Sequence, residues 1–133
     1  MSHHFEWDAS RYVLGIPDMD HGHGMIIDCM NQLHAGSVAQ ASRIELGNIF
    51  DRLVRVTVEH FSDEERYMAE CAYPDAARHR LLHQQILERL YRFQLEFRRT
   101  GVLPERLFNF FGMWLQAHMG DSDVQYARYC KAA

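Results

Sequence analysis

Between Leu46 and Met68 the chain keeps a helical apolar stripe through Leu46, Ile49, Leu53, Thr57, His60, Glu64 and Met68, in steps of three and four. An imidazole and a carboxylate, one turn apart, therefore point inward where leucines are expected. This constrains the chain more than any other feature, because an unpartnered buried acid costs a large share of a domain's stability margin. The fold has to bring compensating groups to His60 and Glu64.

The rest of the sequence limits how. The 133 residues suffice for one core and predict a single domain over 1–133. A net charge of −4 offers no basic footprint for nucleic acid or an anionic membrane surface. No apolar run approaches the ~20 residues that span a bilayer. No basic-then-apolar start marks a secretory leader. Cys29, Cys71 and Cys130 are odd in number and lack a C-x-x-C pair, which predicts unpaired thiols and a cytoplasmic location.

Residues 1 to about 18 read as an extended N-terminal arm, with Gly15 and Pro17 breaking periodicity. A first helix is predicted from Asp18–Asp20, with His23, Ile26, Ile27, Met30 and Leu33 inward and Gly36 as its stop. Gly22 and Gly24 in its first turn conflict with that reading. Ser42-Arg43-Ile44-Glu45 is a capping box for the second helix, which runs to Ala69 or Glu70. After a turn at Pro74, a third helix carries His79, His83, Ile86, Leu90, Phe93 and Phe97 inward and ends at Thr100-Gly101. Pro104 opens a fourth with Leu107, Phe110, Phe111, Trp114 and His118 inward, loosened or kinked at Gly120. Four helices joined by short turns predict an all-α, antiparallel up-down-up-down four-helix bundle.

In such a bundle the starts of odd helices and the ends of even helices share one end. His23, His60, Glu64, His79, His83, His118 and Asp123 then converge in a single layer, and the opposite half is apolar. Among nine histidines, only His3, His4, His21 and His34 have no periodic context that forces them inside. Imidazoles and carboxylates without cysteine suit iron, zinc, copper or manganese. Seven side chains exceed what one ion can use but suit two ions bridged by carboxylates. Asp123, five residues after His118, lies about 140° round an ideal helix and needs a local distortion to join the layer.

At this point the chain resembles the hemerythrins, and among them the single-domain bacterial form. The resemblance rests on Gly15-Ile16-Pro17-Asp18-Met19-Asp20-His21-Gly22-His23 and on His60-Phe61-Ser62-Asp63-Glu64-Glu65. It also rests on Tyr73-Pro74 followed by His79-x-x-x-His83, and on Trp114-Leu115-Gln116-Ala117-His118 followed by Asp123 and Tyr126. His21 and His23 each follow an aspartate at D-x-x-H spacing. His23 is preferred because it aligns Asp20, Asn31 and Leu33 with the family pattern and is in phase with Ile26; His21 is the alternative.

The resemblance implies two irons bridged by Glu64, Asp123 and a solvent-derived oxo or hydroxo group. His79, His83 and His118 would complete one iron. His23 and His60 would bind the other and leave a position for O2. Ile26, Phe61, Trp114 and Leu115 would form a dry O2 pocket. The implied function is reversible O2 binding for storage, transport or delivery, without catalysis, by a monomer whose further partner would be an oxidase or a signalling protein. The alternatives are an O2- or redox-sensing domain and a di-iron peroxidase or NO-handling enzyme. The sequence contains no E-x-x-H pair of the kind that carboxylate-rich di-iron proteins use.

Overall fold

The computed structural model describes residues 7–132. His3 and His4, and the beginning of the expected arm, lie outside the described residues. Helices α1 (Pro17–Val38), α2 (Arg43–Glu70) and α3 (Ala76–Thr100) precede a fourth helix in three parts: α4 (Glu105–Trp114), a π-helical segment (Leu115–Ser122) and α5 (Asp123–Ala132). No strand occurs among the described residues. None of the helices among them is long and apolar enough to cross a membrane.

Local chemistry sets the helix ends. Pro17 opens α1, where its missing N–H costs nothing, and Asp18 and Asp20 lie in the first turn beside the positive end of the helix dipole. The Ser42 hydroxyl accepts from the N–H of Glu45 to cap α2. Gly101, in the left-handed region at φ 75°, closes α3. The expected stop at Gly36 is not used: α1 continues to Val38, and the chain reverses at Gln40 with φ 56°. Gly36 serves a close approach instead, since a Cβ there would lie 3.0 Å from Leu46 Cδ2.

The expected extended arm is also corrected. Ala9–Tyr12 forms a 3-10 turn capped by the Asp8 carboxylate, which accepts from the N–H of Ser10. The arm is then pinned to α1, because the Asp20 carboxylate accepts from the N–H groups of Leu14 and Gly15 at 2.5 and 3.1 Å.

The inward stripes form two apolar clusters. The larger joins Ile26, Met30, Leu33, Phe50, Leu53 and Leu90 with the α4 aromatics Phe110, Phe111 and Trp114. The smaller, of Leu14, Met19, Met68, Tyr126, Ala127 and Cys130, closes the other end of the molecule. The polar layer lies where these clusters meet.

The prediction of unpaired thiols fails. Cys71, at the end of α2, and Cys130, in the last turn of α5, form a disulfide with their Cα atoms 5.5 Å apart, and Cys29 is free and buried. The partners are 59 residues apart in sequence, so only the tertiary packing of α5 against the α2–α3 turn reveals them. The inference from unpaired cysteines to a reducing compartment loses its support.

Candidate metal centre

All seven polar residues predicted for the layer are buried, at 4% exposure or less. His21, the alternative to His23, is exposed. Two groups of side chains present ligand atoms close enough to share an ion: Glu64, His79, His83, His118 and Asp123 in one, His23, His60 and Glu64 in the other. The rings of His79, His83 and His118 sit 4.6–5.0 Å from one another, and those of His23 and His60 are 4.7 Å apart.

The two carboxylates lie between these groups. Glu64 Oε1 is 3.1 Å from His83 Nε2, whereas its Oε2 is 3.4 Å from His60 Nε2 and 3.6 Å from His23 Nε2. Asp123 Oδ1 is 2.8 Å from His79 Nε2 and 3.2 Å from His118 Nε2, whereas Oδ2 is 3.0 Å from His23 Nε2. Each carboxylate thus turns one oxygen to the histidine trio and the other to the histidine pair.

The fourth helix reaches this geometry through its π-helical segment. The Asp123 N–H donates to the His118 carbonyl, five residues earlier, instead of four. The wider turn brings His118 and Asp123 onto one face, which an α-helix does not allow. Gly120 permits it, because a Cβ there would already lie 3.2 Å from the Leu115 carbonyl oxygen. The expected distortion at Gly120 is therefore one part of an eight-residue π segment.

Gly22 has a similar explanation. A Cβ at this position would stand 2.1 Å from His60 Nδ1, so the ring passes against bare α1 backbone. The glycine that weakens α1 by propensity makes room for His60.

The donor set fits a cation. His23 Nδ1 lies 3.1 Å from the Tyr12 carbonyl oxygen, which can only accept, so Nδ1 carries the proton. His83 Nδ1 lies 2.9 Å from the Glu65 carboxylate, with the same consequence. In neutral imidazoles both Nε2 lone pairs then face carboxylate oxygens at 3.0 and 3.1 Å. Two electron pairs at that distance require a positive charge between them. His60 Nε2, His79 Nε2, His118 Nε2 and Asp123 Oδ1 make no hydrogen bond among the described residues, despite being buried. Nitrogen and oxygen donors of this kind suit iron.

Without metal, protons take that role. Burial works against the His23 cation, but contacts with Asp123 and Glu64 outweigh it and push the pKa up to about 10. Burial likewise opposes ionisation of Glu64, yet His60, His23 and His83 hold its carboxyl well below the usual range. For Asp123, burial and the Glu64 charge are outweighed by His118 and His23, and the carboxyl is again held low.

Three contacts to these groups were not anticipated from sequence. The Tyr126 hydroxyl donates to Glu64 Oε2 at 2.6 Å, and burial together with the Glu64 and Asp123 charges pushes its pKa up, so it remains a neutral donor. Tyr126 enters the sequence reading only as part of the resemblance, one turn after Asp123 and with no partner assigned. The Glu65 and Tyr12 contacts had no usable signal, since they depend on helix rotation and the path of the arm. The expected pocket residues Ile26, Phe61, Trp114 and Leu115 are all buried. Phe61 also lies flat on the His83 ring, with centroids 3.8 Å apart and planes within 5°. A cleft of about 220 Å³ between α3 and the fourth helix, lined in part by Leu82, Ile86, Met113 and Trp114, runs down to His118.

Comparison with known proteins agrees with this site. The family model for the hemerythrin HHE cation-binding domain matches residues 14–130. A bacteriohemerythrin of Stenotrophomonas maltophilia is 34% identical over 121 residues, covering 90% of this chain and 77% of that protein. A myohemerythrin of Riftia pachyptila is 25% identical over 92% of this chain and 90% of its own length. A crystal structure of wild-type hemerythrin superposes with a TM-score of 0.82 at 28% identity, covering 96% of this chain and 97% of that one. With the match spanning nearly its whole length, the chain belongs to the hemerythrin family.

Proposed function

We propose that this chain, as a single domain, binds O2 reversibly at a pair of iron ions. The observation that carries the reading is the division of donors about Glu64 and Asp123: three imidazoles on one side, two on the other, each carboxylate facing both. In this reading His79, His83 and His118 would hold one ion, His23 and His60 would hold the second, and Glu64 and Asp123 would serve both. The side with one imidazole fewer has room for an exogenous ligand. The ferrous pair supplies the two electrons that reversible O2 capture requires.

The protein's own groups then restrict the chemistry. Neutral imidazoles dominate the set, and they favour high-valent iron less than a carboxylate-rich set does. Tyr126 fixes the Glu64 carboxylate by hydrogen bonding to the oxygen that faces the histidine pair. Ile26, Phe61, Trp114 and Leu115 exclude water, which slows proton delivery and irreversible oxidation.

The test is iron content and the visible spectrum of the aerated protein. Two irons per chain and an absorption that bleaches on deoxygenation and returns with air support the reading. Catalytic loss of added peroxide or NO, or irreversible oxidation at the first exposure to air, overturns it.

A further inference from the structure

We propose that Glu65 is a positioning residue for His83: its carboxylate accepts a hydrogen bond from Nδ1–H and so commits the Nε2 lone pair to the metal position. The proposal rests on the reading of His83 as an iron ligand. Glu65 Oε2 lies 2.9 Å from His83 Nδ1, and Glu64, the adjacent residue, lies 3.1 Å from Nε2. Consecutive carboxylates on α2 thus address opposite edges of one imidazole. Phe61, one turn earlier on the same helix, covers its face. Three residues of α2 therefore fix the rotation, tilt and tautomer of a ring carried by α3.

Glu65 is free for this task. Its side chain is 32% exposed, against 1% for His83, so it reaches the buried ring from the solvent side of the layer. Among the described residues its only ion-pair partner is His83, and the neighbouring Arg66 turns to Asp63 instead. His83 is also the only one of the five imidazoles whose Nδ1 meets a carboxylate among the described residues; His23 Nδ1 meets a neutral carbonyl. A charged acceptor binds the ring proton more strongly than a carbonyl and makes Nε2 a better electron donor. The trio side of the centre is therefore the more electron-rich, which favours its oxidised state.

Glu65→Gln and Glu65→Leu separate charge from hydrogen bonding, since glutamine keeps an acceptor oxygen and leucine has none. Both are loaded with iron(II) and compared with the unaltered chain in the rate of iron loss to a bidentate iron(II) chelator and in the reduction potential of the iron pair. The expected order of loss is leucine, then glutamine, then the unaltered chain, with leucine about 10- to 100-fold faster. The potential is expected to rise already in the glutamine variant, which a purely structural role for Glu65 does not produce. Unaltered rates and potential in the glutamine variant overturn the proposal, and that variant decides the matter if leucine does not fold. An unaltered chain that holds no iron overturns the site assignment itself, a distinct outcome.

Discussion

Gly22 of α1 and His60 of α2 are in such close register that the imidazole occupies the space of a side chain at residue 22. Gly22→Ala is therefore expected to displace His60, although alanine is the better helix former. Ordinary propensity predicts a gain of about 1 kcal/mol from this change. Overpacking predicts a loss of roughly 1–3 kcal/mol, and iron content below two per chain. Thermal melting and metal analysis of the variant decide between them.

Tyr126→Phe removes the only hydroxyl that donates to Glu64 among the described residues and leaves the ring in place. A hydrogen bond to a charged group contributes roughly 1.5–3 kcal/mol, so the metal-free variant is expected to lose about that much stability and to melt earlier. Iron should leave it faster on addition of a chelator. Equal melting and release rates would show that Glu64 is held by its histidine contacts alone.

The metal-free protein should respond to pH in a defined direction. His23 faces Asp123, Glu64 and the ring of His60, and its pKa rises from 6.5 to about 10 on folding. Its contribution to stability is complete below pH 6.5 and is lost as pH rises through about 10. Glu64 and Asp123, whose values fall on folding, contribute above the usual carboxylate range and lose that contribution in acid. The melting temperature of chelated protein should decline from pH 6.5 toward 10, and less steeply in His23→Gln. Iron binding should strengthen over the same interval, because ligation requires neutral imidazoles.

Leu115 is fully buried one turn before His118. Truncation to alanine is expected to cost about 2–5 kcal/mol through the cavity it leaves. The loosened pocket should also admit water and accelerate oxidation of the oxygenated form, followed as loss of the reversible absorption. An unchanged rate would remove Leu115 from the proposed pocket.

The Cys71–Cys130 pairing gives a count. Protein purified in air and then denatured without reductant should show one reactive thiol, Cys29, and three after reduction. Replacing both paired cysteines by serine is expected to lower stability by about 2–4 kcal/mol, measured by denaturant unfolding.

Much of this site is legible in the sequence. His60 and Glu64 declare themselves because helical periodicity fixes which residues share a face, and short turns fix which helix ends meet. The same two rules place His23, His79, His83 and His118. They also turn His23 inward and His21 outward, as the structure has them, since only one of two residues two positions apart can face inward. Periodicity fails where the backbone departs from 3.6 residues per turn. Asp123 was legible only as an anomaly requiring distortion, and nothing in Leu115–Ser122 announces that the distortion spans two turns. It also fails for contacts between helices. Glu65 to His83, Tyr126 to Glu64 and Cys71 to Cys130 each depend on how two helices are rotated against one another. The glycines mislead for a related reason: by local rules Gly22 weakens α1 and Gly36 stops it, but each accommodates an atom from α2.

The π-helical segment has a consequence beyond His118 and Asp123. Each wide turn holds one residue more than an α-helical turn, so the segment acts as a phase shifter between α4 and α5. The face that α4 presents to the apolar core no longer dictates the face that α5 presents to Glu64 and the Cys71 end of α2. Closing Leu115–Ser122 to ordinary α-helical turns would therefore act at a distance: even with His118 seated, Asp123 would swing to about 140° from it, and Tyr126 and Cys130 would turn with it. The bridge, its hydrogen-bond donor and the covalent tie are in this sense one mechanical unit, set by one local irregularity.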